Sequence, residues 1–149
     1  MSRLQPRIEI LIVLGVFLMD RFLKMLSLGL PTGAATPLAD RYVQFLLFKN
    51  SGIAFSLNLS GPIVWLTSVI ILAAVVVMAT RDFKAGRSDR SLAYALFVFG
   101  ACSNLFDRVV YSFTVDYLLF FERSAVNLAD GMIVAGAVLL FFTETRRSA

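Results

Sequence analysis

Histidine does not occur in the chain. Its absence removes Ser-His-Asp and Cys-His nucleophilic sites and every histidine-containing zinc site. One cysteine, Cys102, is present, so no intramolecular disulfide can form. Its position deep in an apolar run, with no activating base at helical spacing, reads as packing. Serine–lysine catalysis would rest on Lys24 or Lys49, and neither has a serine at a suitable spacing. No glycine-rich phosphate loop, linker, internal repeat or low-complexity run is found, which leaves a single domain over residues 1–149. Charged residues make up only 16% of the chain. No basic patch interleaved with aromatics lies on a soluble face, so nucleic acid is not an expected partner. Nothing points to a metal or other cofactor.

What fills the sequence is apolar: 58% of the 149 residues are hydrophobic and the mean hydropathy is +0.80, well above a soluble globule of this size. Four stretches approach the roughly 20 residues that a helix needs to cross a hydrocarbon core: Ile8 to Leu28, Gly61 to Thr80, Leu92 to Val110 and Val126 to Phe142. The expected fold is therefore an α-helical bundle of four transmembrane helices with a small, partly β extracytoplasmic part. The first span follows Arg3 and Arg7, as a signal sequence would. No small-residue cleavage site follows it, and Asp20, Arg21 and Lys24 interrupt its second half, so it reads as retained. Basic residues collect at the amino end, at Arg81, Lys84, Arg87 and Arg90, and at Arg146 and Arg147, which places both termini in the cytoplasm. The outward connections are residues 31–60 and 111–125. In the first, "YVQFLLFKNSGIAFSL" reads as short strands turning at Asn50-Ser51-Gly52.

Polar residues within the spans stand out because each costs roughly 2.5–3.5 kcal/mol at mid-membrane. They are Asp20, Arg21 and Lys24, then Asn104, Asp107 and Arg108, then Asn127 and Asp130. With a rise of about 1.5 Å per residue and alternating helix directions, all of them collect near the outer boundary. Asp20 and Lys24 are four apart in the favourable acid-before-base order, which fits an internal ion pair. Asn104, Asp107 and Arg108 share a face, with Gly100 a turn away offering close backbone approach. They read either as another internal ion pair or as part of a site, since an amide is not needed to neutralise charge. "VNLAD" fits a helix start capped by Asn127 and Asp130, a role compatible with chemistry. Asp116, in "SFTVDYLLF", is either a solvated loop acid or a carboxylate held against the bilayer surface near Asp130. The inner halves of the second and fourth spans hold no ionisable group, which counts against a proton- or ion-conducting path.

Paired carboxylates are the chemistry that remains. At about 4 Å and an effective dielectric near 20, two carboxylates repel by roughly 4 kcal/mol, or about three pKa units. One proton is then shared, so that one acid serves as general base on a water while the other polarises a carbonyl.

Five segments carry a resemblance. "MDRFLK", "KNSGIAFS", "GACSNLFDR", "TVDY" and "VNLAD" resemble, in order and over nearly the whole chain, the motifs of the lipoprotein signal peptidases (signal peptidase II) of bacterial inner membranes. The resemblance implies an intramembrane aspartic endopeptidase that cuts prolipoproteins just before a diacylglyceryl-modified cysteine. Its partners would be lipid-modified precursors and membrane lipids, with the enzyme acting as a monomer and using no cofactor. Asp116 and Asp130 would be the catalytic pair. Asn104, Arg108 and Asn127 would position the pair and the substrate backbone, Asp107 would brace Arg108, and Asp20 and Lys24 would brace the helices. Asn50, Gly52, Ala54 and Phe55 would cradle the substrate. The chain departs from the family pattern at Arg21, where glutamine is usual, at Phe99 and Ser103, which stand for glycines, at Val126, which stands for phenylalanine, and in a short stretch between Asp116 and Asp130. A non-catalytic lipoprotein-binding protein is the alternative, and the intact acid pair argues against it.

Overall fold

The computed structural model describes residues 5–31, 34–39, 42–52 and 61–148, and gives only the backbone of residues 5–7, 61, 88 and 146–148. Buried in hydrocarbon, a segment must satisfy its amides internally, and the apolar stretches are helical: α1 (Gln5–Leu28), α2 (Gly61–Lys84), α3 (Ser91–Tyr111) and α4 (Leu128–Ser148). Within α2 the hydroxyls of Thr67 and Ser68 donate to the carbonyls of Ile63 and Val64 at 2.6 and 2.8 Å, so these polar residues cost the apolar helix little. Among the described residues, Pro62–Lys84, Ser91–Tyr111 and Leu128–Thr145 are long and apolar enough to cross a membrane. α1 matches α2 at 24 residues but carries Glu9, Asp20, Arg21 and Lys24.

α3 and α4 lie unusually close because glycine leaves room. A Cβ at Gly100 would stand 2.6 Å from the Ala129 carbonyl oxygen, and one at Gly136 would stand 2.7 Å from both the Ala93 oxygen and the Phe97 nitrogen. Thus Gly100 does permit the expected close approach. Exposed Ile, Leu, Val and Phe side chains cover the outside of the bundle, whereas the interior holds Asp20, Lys24, Ser103, Asn104 and Asp107. In lipid that inversion is the stable arrangement.

A four-stranded antiparallel sheet caps one end, in the order β1 (Ala35–Ala39), β2 (Val43–Asn50), β3 (Thr114–Phe120), β4 (Ser124–Val126). The expected turn after Asn50 is not what pairs β2: its neighbours are β1, reached through Tyr42, and β3, with Phe48 opposite Asp116 and Asn50 opposite Thr114. Residues 53–60, including Ala54 and Phe55, lie outside the described residues. Asp116 is not a solvated loop acid: "TVDY" is a fully buried run at the start of β3, joined to α3 through Ser112, which closes that helix in the left-handed region at φ 66°. At the other end of the bundle, α2 and α4 run past Thr80 and Phe142. Their extra turns bring Asp82 and Glu144 onto Arg90, with Arg87 and Tyr94 also on Asp82.

Candidate active site

The site is assembled at the amino end of α4. Asn127 caps the helix through its side chain, accepting the Asp130 amide at 2.9 Å, while Asp130 Oδ2 accepts the Asn127 amide at 3.3 Å. This is the reciprocal capping expected from "VNLAD". The next two amides are capped from other elements. The Leu128 amide donates to the Tyr117 hydroxyl at 2.9 Å, and the Ala129 amide donates to Asp20 Oδ1 at 3.1 Å. Three elements thus satisfy the orphan donors of one helix start.

Asn127 also ties the two acids together. Its side-chain amide donates to Asp116 Oδ1 at 2.6 Å while its backbone amide donates to Asp130, so both carboxylates stand one hydrogen bond from the same residue. Each acid has a second amide. Asn50 Nδ2 donates to Asp116 Oδ2 at 2.8 Å, oriented by the Gly52 amide, which donates to Asn50 Oδ1 at 3.0 Å. Asn104 Nδ2 donates to Asp130 Oδ1 at 2.7 Å, oriented by Lys24 Nζ on Asn104 Oδ1 at 2.8 Å. Burial, and then the neighbouring charge of Asp130, push the Asp116 carboxyl up to about 7, against the opposing hydrogen bonds from Asn50 and Asn127. A carboxyl in that range both holds and releases a proton at neutral pH.

Lys24 is wholly buried. It lies 3.2 Å from Asp20, as the spacing suggested, but also 2.7 Å from Asp107, so it joins α1 to α3 rather than neutralising α1 alone. Asp107 does not brace Arg108. Its oxygens take Arg21 at 2.5 Å, Lys24, and the Val115 amide at 3.2 Å, because its position on α3 turns it toward α1. Among the described residues the Arg108 guanidinium makes no hydrogen bond or ion pair. It lines a cavity of about 340 Å³ with Asn50, Ser51, Val64 and Trp65, a guanidinium open to a ligand beside the two acids.

The chain matches the model of the signal peptidase (SPase) II family over residues 12–146. It is 34% identical to the lipoprotein signal peptidase of Mesorhizobium japonicum, covering 90% of this chain and 83% of that one. It is 31% identical to that of Dichelobacter nodosus, covering 92% and 93%. A solved bacterial membrane enzyme superposes with a TM-score of 0.78 over 95% of this chain and 89% of its own, at 23% identity, and so shares the fold. The chain belongs to the signal peptidase II family.

As a signal peptidase II chain it is a multi-pass membrane protease, and its polar interior includes residues that sequence reasoning did not assign to the site. Tyr117 donates to Asp20 Oδ1 at 3.0 Å while accepting the Leu128 amide. Burial, and then the Asp20 charge, hold its phenol far above the ordinary range. The tyrosine that ends "TVDY" was the available signal, since a buried tyrosine needs a partner for its hydroxyl. Ser103 donates to Asp20 at 2.6 Å and receives Lys24 at 3.2 Å. Thr114 Oγ1 is buried without a partner among the described residues.

Proposed function

We propose that the protein is an intramembrane aspartic endopeptidase that removes signal peptides from prolipoproteins by cutting before the diacylglyceryl-modified cysteine. Support comes from the family, whose curated relatives are lipoprotein signal peptidases, and from one geometric observation above the rest: Asn127 donates to both Asp116 and Asp130. In this reading the two acids share one proton. The ionised member takes a proton from water as it attacks the scissile carbonyl, and the protonated member donates to the developing oxyanion. The acid formed in the first step then protonates the leaving amine. Asn50, Asn104 and Asn127 hold the carboxylates, Arg108 receives the substrate backbone, and Lys24, Asp20 and Asp107 keep the helices in place.

The wider proposal is a monomeric single domain in the bacterial inner membrane. α1 forms a fourth span, both termini are cytoplasmic, the site lies near the outer leaflet, and no metal or cofactor takes part. Purified protein incubated with a diacylglyceryl-modified precursor, beside an unlipidated control, tests the activity. Asp116→Asn and Asp130→Asn are each expected to lower cleavage by at least about a thousandfold while the protein stays folded and inserted. Full cleavage by either variant removes the acid pair from the mechanism.

A further inference from the structure

Arg21 lies outside the set of residues that an acid pair requires, yet it is held by three residues of α3. Its Nη1 stands 2.5 Å from Asp107 Oδ1, 3.3 Å from Ser103 Oγ and 3.4 Å from the Ser103 carbonyl oxygen, and its guanidinium lies 4.4 Å from the Phe106 ring centre. The side chain is 22% exposed, whereas Asp107 is fully buried. Asp107 divides its two oxygens. Oδ1 belongs to Arg21, while Oδ2 serves both Lys24 Nζ at 2.7 Å and the Val115 amide at 3.2 Å. Val115 immediately precedes Asp116, so this carboxylate is what the start of β3 hangs from. The same lysine carries Asn104, which carries Asp130.

Take Arg21 away and Oδ1 becomes a buried carboxylate oxygen with no donor, a costly state. The cation within reach is Lys24, and turning it toward Oδ1 loosens both the Asn104 contact and the Val115 contact. Charge points the same way. Asp20 and Asp107 are balanced by Arg21 and Lys24 in the α1–α3 cluster, with Arg108 on α3, Asp116 and Tyr117 on β3, and Asp130 on α4 around it. Without Arg21 the cluster is one unit more negative, and neighbouring carboxyls hold their protons more tightly.

We infer that Arg21 is a positioning residue for the acid pair: by holding Asp107 Oδ1 it fixes the Val115 amide beneath Asp116 and frees Lys24 to hold Asn104 against Asp130. The inference rests on the proposed protease reading for its kinetic arm only. Arg21→Met, which keeps the length but removes both the charge and every donor, is expected to lower kcat about tenfold with KM within about twofold of the parent. It should also move the pH profile of kcat/KM upward by about half a pH unit. Arg21→Lys, which keeps the charge but loses the planar fork, should return the pH profile and recover only part of kcat. Independently of activity, amide hydrogen exchange should accelerate in the peptide spanning residues 114–117 of Arg21→Met and stay unchanged in α2. Parent-like exchange in that peptide overturns the inference, as does an unshifted pH profile in an active Arg21→Met enzyme. If the parent itself does not cut the lipidated precursor, the protease reading falls and the exchange result alone decides on Arg21.

Discussion

A carboxyl held near 7 by burial makes Asp116 a burden on the fold as well as a tool. Its folded value lies above the ordinary 3.8, so the native state binds the proton more tightly than the unfolded chain does. The stabilising effect of that proton is fully present below pH 3.8 and is lost as pH rises through about 7. The gap converts to at most about 4 kcal/mol. Thermal unfolding in detergent is therefore expected to show the parent losing stability between pH 5 and pH 8, with Asp116→Asn losing clearly less over the same window; parallel curves would mean that Asp116 is ionised throughout. Thr114 Oγ1, two residues earlier and buried without a partner among the described residues, adds to the same local cost. At this scale the sequence disclosed which residues were expensive but not whom they touch. Asp20 reaches Ala129 across 109 positions and Tyr117 across 97, and no periodicity encodes contacts of that range. The brace of Asp107 on Arg108, which the resemblance implied, gives way to contacts with Arg21 and Lys24 on another helix.

Among the elements, the helices were legible because a long apolar run in a membrane has one way to satisfy its amides. β3 was not, because Asp116 interrupts an otherwise strand-like run of Thr, Val, Tyr, Leu and Phe, and its partner strand β2 lies some 66 residues earlier, as the Asn50–Asp116 hydrogen bond records. The β3–β4 turn gave no signal either. Phe121 and Glu122 both take positive φ, 51° and 56°, where asparagine and glycine are the usual choice. Within α4 the glycines differ in a way that yields a prediction of sign. Gly136→Ala places its methyl 2.7 Å from backbone atoms of α3 and should cost about 1–3 kcal/mol through overpacking. Gly131→Ala meets nothing within 4 Å and should stabilise by up to about 1 kcal/mol through helix propensity. Thermal shifts of opposite sign in the two variants are the expected result, and two equal losses would contradict the α3–α4 geometry.

Seen as a whole, the molecule has a charged cluster at each end of the bundle and apolar packing between. The end away from the sheet is held by Arg90, 5% exposed, which bridges Asp82 of α2 to Glu144 of α4, while Tyr94 of α3 donates to Asp82 at 2.9 Å. Without Arg90 the buried Asp82 keeps, among the described residues, only Arg87 and the Tyr94 hydroxyl, so Arg90→Leu should cost about 1–3 kcal/mol. Replacing both partners, as Asp82→Leu with Arg90→Leu, should cost clearly less than the sum of the single changes, and additive losses would show that the pair is not coupled. At the opposite end the start of α4 draws its caps from α1, β3 and Asn127. A chain that enters the membrane segment by segment, first helix to last, would therefore lack the proposed acid pair until its final segment joins α1 and β3. On the proposed reading, cutting power and finished assembly arrive together.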